Sequence, residues 1–276
     1  MITVAPTGAE TAKADAPTLP VTLDELVEAA VRCEAAGAAL VHVHIRDDAA
    51  APTLDPVRLK DTVAALRDAT AMVVQLSTGG SVHDPLEDRL AVLDAEPDSC
   101  SLTCGTVNFG ADVFLNPWPF MVELYQRTQE REVVPEFELF DLGHVTSMNR
   151  LLDKYGAPYG GQVHCDLVMG VPGGMPGTVQ ALVAAVGALP AGASWSATGV
   201  GRTSLPVAMA ALSCGGHLRV GMEDTLTYEP GQPVRDNAQL VERAAALSTV
   251  AGRPPMSTDD ARALLKVRDR RGKGVA

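Results

Sequence analysis

Short apolar and β-branched runs punctuate the chain, each bounded by turn residues: ITVA, LVHVHI, MVVQLS, CSLTC, EFELF, QVHCDLVM, SWSAT and HLRVGM. Runs of this length and make-up read as strands. Between them, apolar positions recur at the spacing of an amphipathic helix. The first helical stretch runs from Thr22 to Ala36, with Thr22 and Glu25 at capping-box spacing and Gly37 as a C-terminal stop. The others cover approximately Pro56 to Asp68, Pro85 to Ala95, Pro117 to Glu130, Thr146 to Tyr155, Pro176 to Leu189, Leu205 to Cys214 and Asn237 to Ala251. Eight strand–helix alternations without a long linker or a shift in composition predict one parallel (β/α)8 TIM barrel domain over residues 1–276, in preference to an open sheet with a second domain. The glycine- and proline-rich pieces Gly170 to Gly177 and Gly199 to Gly201 fall where βα loops are due.

Side chains alternate along a strand, so in LVHVHI the apolar set Val41, Val43 and Ile45 faces the helices while His42 and His44 face the barrel interior. The same split sets Phe137 and Leu139 against Glu136 and Glu138, and Val163, Cys165 and Leu167 against Gln162, His164 and Asp166. In HLRVGME it leaves Arg219, Gly221 and Glu223 for the interior. Barrel interiors are ordinarily filled by bulky apolar layers. Burying this much charge unpaired is expensive, so the lumen needs ion pairs, a metal, or both.

Two histidines at i and i+2 on one strand face can aim ring nitrogens at a common cation, which suits a catalytic site with an open coordination position. Zinc is the first choice over iron or manganese, although imidazole ligates each of them. Glu223 has the right type and position for a third ligand, with Glu138 as the alternative. His164 and Asp166 offer a rival site with one histidine fewer. His83, His144 and His217 flank glycines or turns and read as structural or exposed.

Charge and composition narrow the partners. A formal net charge of −12, without a basic stripe interleaved with aromatics, argues against nucleic acid. The one basic run, RDRRGKG, predicts a frayed, solvated tail over 268–276. No apolar run approaches the roughly 20 residues that span a bilayer, and MITVAPTGAE lacks the features of a secretory signal. The expectation is a cytoplasmic protein with no membrane partner. Its five cysteines, Cys33, Cys100, Cys104, Cys165 and Cys214, sit mostly in apolar segments and read as reduced thiols. Barrels with apolar helix faces commonly assemble, so a homo-oligomer is expected. A nicotinamide dehydrogenase is disfavoured, because GVGRTS lacks a full GxGxxG run and stands outside an open sheet.

Taken together, APTGAETAK, VHVHIRD, QLSTGG, TCGTVNFG, PEFELFDLGH, MGVPGGMP, TGVGRTSLP, GGHLRVGMEDTLTY and AGRPPMSTDDAR give the chain a resemblance to the β-keto acid cleavage enzymes along nearly its whole length. The resemblance implies a metal-binding (β/α)8 barrel that condenses a β-keto acid with acetyl-CoA and releases acetoacetate and a new acyl-CoA. Carried across, it makes His42, His44 and Glu223 ligands of a Zn2+ ion. It makes Arg219 and Asp224 catalytic, acting with Glu138 and Glu10. Ser77, Thr78, Gly79 and Gly80 match a loop that would hold the substrate carboxylate, with Thr103 and Thr106 nearby. Ser77 and the neighbourhood of Cys100 and Cys104 depart from the family pattern, which bears on the acyl pocket and not on the chemistry.

Such chemistry needs a Lewis acid and a carboxylate base of tuned pKa, for which Asp224 and Glu138 beside Arg219 are the candidates. Coenzyme A carries phosphates, and Gly199, Gly201 and Arg202 ahead of a helix near Ser204 form one local anion site to test. Two other readings compete. A metal-dependent aldolase or decarboxylase on the same barrel needs no thioester. An inert metal-binding barrel would not need Arg219 and Asp224.

Overall fold

A computed structural model describes residues 1–271. Eight parallel strands close a barrel: β1 (Ile2–Val4), β2 (Leu40–Val43), β3 (Val73–Leu76), β4 (Ser99–Thr103), β5 (Val134–Leu139), β6 (His164–Met169), β7 (Ser194–Gly199) and β8 (His217–Val220), with β8 paired back onto β1. Around it lie α1 (Leu23–Ala36), α2 (Pro56–Ala69), α3 (Leu86–Ala91), α4 (Trp118–Glu130), α5 (Leu142–Tyr155), α6 (Val179–Ala188), α7 (Ser204–Ser213), α8 (Asn237–Val250) and α9 (Thr258–Leu265). The barrel expected from the sequence is present. No described helix is long and apolar enough to cross a membrane.

Local chemistry sets the helix ends. Thr22 and Glu25 form the capping box expected of α1, and Gly37 closes it in the left-handed conformation with φ 113°. α5 starts at Leu142, four residues before the predicted Thr146, because the Asp141 side chain accepts from the His144 amide. α6 starts late, at Val179, capped by Thr178. The predicted helix from Pro85 to Ala95 is α3 followed by a tighter 3-10 turn over Val92–Ala95.

The outward rows Val41, Val43, Phe137, Leu139, Cys165, Leu167, Leu218 and Val220 join one core between barrel and helices. α9 had no counterpart in the sequence reading. Its Ala261 and Leu265 pack with Ala39, Leu40 and Val73 below the N-terminal ends of the strands. Its Arg262 donates to the Met72 carbonyl and to fully buried Asp98, both at 2.9 Å. The predicted solvated tail is corrected for its first part. Arg270 is buried and donates to the carbonyls of Arg131 and Glu132, while Arg268 pairs with Glu132 and Arg271 with Asp259, because this stretch finds acceptors just past α4 and in the first turn of α9. Residues 272–276 lie outside the described residues.

Three short hairpins grow from the loops at the C-terminal ends of β2, β4 and β8: Ile45–Arg46 with Pro52–Thr53, Val107–Phe109 with Asp112–Phe114, and Thr227–Glu229 with Gln232–Pro233. All three surround the face where barrels of this type place their sites. Gly221, just past β8, lets that loop touch β1. A Cβ at Gly221 would lie 1.9 Å from the Ala5 carbonyl oxygen, whereas one at Gly187 in α6 meets nothing within 4 Å. Gly221→Ala is therefore expected to lower stability by about 3 kcal/mol, and Gly187→Ala to raise it by about 0.5–1 kcal/mol. Urea unfolding of both variants checks the pair; equal midpoints would show that the close approach is not needed.

Candidate active site

β2 and the residue after it place His42 and His44 on the lumen side, two apart and on one face. Opposite, β8 carries Arg219 and the chain then turns: the amides of Asp224 and Thr225 both donate to the Gly221 carbonyl at 3.1 Å. The turn breaks strand alternation, so the adjacent acids Glu223 and Asp224 both line one cavity of about 430 Å³ with His42, His44, Glu10, Glu138 and Arg219.

His42 Nε2 and His44 Nε2 stand 3.8 Å and 3.7 Å from Glu223 Oε1, and the three donor atoms lie within 4.8 Å of one another. Donors sharing one tetrahedral cation at about 2.0–2.2 Å sit roughly 3.3–3.5 Å apart, so little closure is needed. Glu223 Oε2 is buried without a partner. The register aligns His42, Gln75 and Ser99 side by side across β2, β3 and β4. His42 Nδ1 donates to Gln75 Oε1 at 2.6 Å and Gln75 Nε2 to Ser99 Oγ at 3.1 Å, which leaves the lone pair of His42 on Nε2, toward Glu223. Burial, reinforced by the positive Arg219, brings His42 down to about 4, and burial also lowers His44. Neutral imidazoles beside an orphaned carboxylate oxygen fit a divalent cation, and among the described residues this is the group able to hold one. The rival pair does not form a site. His164 Nε2 faces Glu136 at 3.2 Å and its Nδ1 lies 2.8 Å from Ser194 Oγ, while Asp166 accepts from Ser196 and Thr198 at 2.8 Å and 2.6 Å.

Arg219 is the electrostatic centre. It donates through Nε and Nη2 to Asp224 at 3.3 Å and 3.0 Å, through Nη2 to Glu223, and through Nη1 to Glu138 at 3.4 Å, with Asp166 at 4.0 Å. Burial alone would weaken its charge, yet four carboxylates raise its pKa well above the ordinary value. Burial pushes Glu138 up to about 8, against the pull of Arg219 and of the Thr103 hydroxyl, which donates to Glu138 Oε2 at 2.8 Å. Asp224 rises to about 7 by burial, against Arg219 and with Glu223 adding repulsion. Glu223 is held down to about 2, because Arg219 and the two imidazoles outweigh its burial. The site thus holds one fixed anion and two acids that titrate near neutrality.

Of the six residues expected around a substrate carboxylate, Ser77, Gly79 and Gly80 line the cavity and Thr78, Thr103 and Thr106 do not. Thr78 is tied to Ser101, its hydroxyl donating to that carbonyl at 2.8 Å; Thr103 supports Glu138; Thr106 Oγ1 accepts from the Asn116 amide at 2.9 Å. Glu10 is at the cavity edge on a loop pinned by Arg46, whose Nη2 donates to the carbonyls of Gly8 and Thr11 at 2.7 Å and 2.9 Å. In the loop after β7, the Gly201 amide donates to the Asp224 carbonyl at 2.7 Å, so that N–H supports the acid and is not free for a phosphate. Arg202 is exposed.

The sequence reading missed Arg89. This buried α3 residue donates through Nε to the Thr78 carbonyl at 2.6 Å, through Nη1 to the Leu115 carbonyl at 2.7 Å and through Nη2 to Asn116 Oδ1 at 2.5 Å. It lies against the rings of Phe114 and Phe120, 4.6 Å and 4.4 Å from their centres. One cation thereby joins the Ser77–Gly80 loop to the hairpin after β4. Gln75 was missed too. A lone amide inside the apolar run MVVQLS is the signal the sequence offered for it.

The family model for beta-keto acid cleavage enzymes matches residues 1–267. The chain is 36% identical to the 3-keto-5-aminohexanoate cleavage enzyme of Acetoanaerobium sticklandii, over 97% of this chain and 98% of that protein. It is 35% identical to the 3-oxoadipate:acetyl-CoA acetyltransferase of Cupriavidus necator, over 96% and 94%. Among solved structures, apo ObcA superposes with a TM-score of 0.81 at 20% identity, covering 94% of this chain and 66% of that one, a likeness of fold.

The raised pKa of Glu138 has a consequence for stability. A carboxyl held near 8 in the fold and near its ordinary value when unfolded binds more protons in the native state, so its contribution is present at low pH and is lost as pH rises through about 8. Subtracting the urea midpoints of Glu138→Gln from those of metal-free wild type is expected to give a difference that moves against wild type between pH 5 and 8.5. A difference independent of pH would show Glu138 to be ionised throughout.

Proposed function

Because the chain belongs to the beta-keto acid cleavage enzyme family, we propose that it converts a β-keto acid and acetyl-CoA into acetoacetate and the corresponding acyl-CoA, using Zn2+ held by His42, His44 and Glu223. The observation that carries this reading is the convergence of three metal-type donors, Arg219 and two acids of near-neutral pKa in one cavity. When bound, the metal supplies Lewis acidity toward the keto and carboxylate oxygens of the substrate.

The chain's own groups account for the rest. Ser77 and the loop through Gly80, which line the cavity in part, receive the substrate carboxylate, and Arg89 keeps that loop in place. Asp224, with its carboxyl near 7, removes a proton from the carbon between the two carbonyls. That carbon attacks the acetyl carbon of acetyl-CoA and the thiolate leaves. The thiolate then attacks the original keto carbon, the bond between that carbon and the central one breaks, and a proton returned to the central carbon gives acetoacetate and acyl-CoA. Arg219 stabilises the negative charge that develops in these steps, and Glu138 is placed to carry the proton between them. A decarboxylase or aldolase on the same barrel would turn over without acetyl-CoA, so the thioester requirement separates the readings.

Metal content and rate are expected to divide between neighbouring acids. Purified protein should carry about one zinc per chain. Glu223→Gln and the pair His42→Ala with His44→Ala should lose it, while Asp224→Asn keeps it and loses roughly 10²–10⁴ in kcat. Wild-type kcat/KM should fall on acidification, since the base must be ionised, with a midpoint that the bound cation moves below the metal-free value of about 7. Metal analysis and a coupled acetoacetate assay read both. Equal metal loss in Glu223→Gln and Asp224→Asn would reverse the roles, and an unchanged rate in Asp224→Asn would move the base to Glu138 or Glu10.

A further inference from the structure

The cavity has two unlike halves. Its floor carries the charges, and its remaining wall is apolar and drawn from five separate segments: Val82 past β3, Phe109 and Phe114 of the hairpin after β4, Phe140 past β5, Val168 on β6 with Val171 after it, and Val200 past β7. These side chains form a cluster of their own, distinct from the main core. The Phe109 ring packs edge-on against Phe114 and Phe140, with centres 6.3 Å and 6.1 Å away. The roof is fastened down, because the Gly110 amide donates to the Pro172 carbonyl at 2.9 Å and Gly173 leaves no room for a Cβ against the Asn108 backbone.

The charged groups argue by what they leave free. Among the described residues Arg219 is the sole arginine or lysine lining the cavity, and its donors already face carboxylates. Arg46 and Arg89, close by, do not line it: Arg89 spends its donors on two carbonyls and Asn116, and Arg46 donates through both Nη atoms to carbonyls of its own loops, its Nε buried away from the cavity lining without a partner. A second carboxylate on the substrate would meet no free counter-ion and five lining acids, Glu10, Asp112, Glu138, Glu223 and Asp224. Three of those acids are engaged by Arg219, and Glu10 and Asp112 are exposed at the mouth, where water screens any ammonium they would select.

Resting on the function proposed above, we infer that the acyl substituent of the β-keto acid is uncharged and apolar, seated against Phe109, Phe114, Phe140, Val168, Val171 and Val200. Lengthening the chain from 3-oxobutanoate homologues upward then buries additional methylenes against this wall until it is filled. Each is expected to raise kcat/KM about four-fold.

The test compares 3-oxopentanoate, 3-oxohexanoate and 3-oxooctanoate with 3-oxoadipate and 3-keto-5-aminohexanoate, in the acetoacetate assay with zinc-loaded enzyme and by calorimetry without acetyl-CoA. The alkyl series is expected to climb with length, to bind with a negative heat-capacity change, and to exceed both charged substrates by on the order of 100-fold. Phe109→Arg should abolish the climb and improve 3-oxoadipate, with KM for acetyl-CoA changed less than two-fold; Phe109→Ala, the milder change, should flatten it. Preference for either charged substrate overturns the inference, as does a Phe109→Arg effect confined to KM for acetyl-CoA, which would give the wall to the thioester arm. Turnover of no β-keto acid at all defeats the proposed function instead, and the calorimetric ranking then still decides which chain the wall accepts.

Discussion

The mouth of this barrel is organised by a single guanidinium set among carboxylates. Arg219 reaches Asp224, Glu223 and Glu138 directly and Asp166 at 4.0 Å. Each such contact gains about 4 kcal/mol at an effective dielectric near 20, the same order as the effective desolvation penalty per buried ion. The cluster therefore stands close to balance. That balance lets neighbouring acids keep different protonation states: Glu223 ionised, Asp224 and Glu138 near their titration points. Without that guanidinium, burial would push Asp224 and Glu138 higher still.

Support for the cluster comes from backbone more than from side chains. The β8 turn folds at Gly221 because no Cβ intrudes on Ala5, and the Glu223 amide then donates to the Ala5 carbonyl at 3.2 Å. Asp224 is held from the other side by the Gly201 amide. On β2, the order is carried laterally, from His42 through Gln75 to Ser99, by strands in register. The geometry of the site is thus a property of adjacent strands and the turns that end them.

Much of this could be read from the chain. Charged residues alternating with apolar ones inside LVHVHI, EFELF and HLRVGM announced a polar lumen, because a period of two leaves them nowhere else to point. That period alone would have sent the adjacent acids Glu223 and Asp224 in opposite directions; the turn at Gly221 brings both to the cavity. Arg89 was not legible: its partners are two backbone carbonyls and an amide distant in sequence, and a lone arginine on a short amphipathic helix looks like surface. The loop hairpins, two or three residues per strand, are too short to show any period. α5 began early because the apolar run FELF leads straight into Asp141, whose capping role depends on the helix that follows it.

The roof and the floor of the cavity are built from different stretches of chain. The metal-type donors and the acids around Arg219 sit on β2, β5 and the turn after β8, whereas two of the three phenylalanines of the apolar cover come from the 107–114 hairpin, fastened to the next loop at Gly110 and Gly173. A change of hairpin sequence can therefore alter what the enclosure accepts while the reacting groups remain untouched. The barrel is in this sense a fixed tool with an exchangeable jaw, so that a lineage could drift between substrates through mutations in the cover alone.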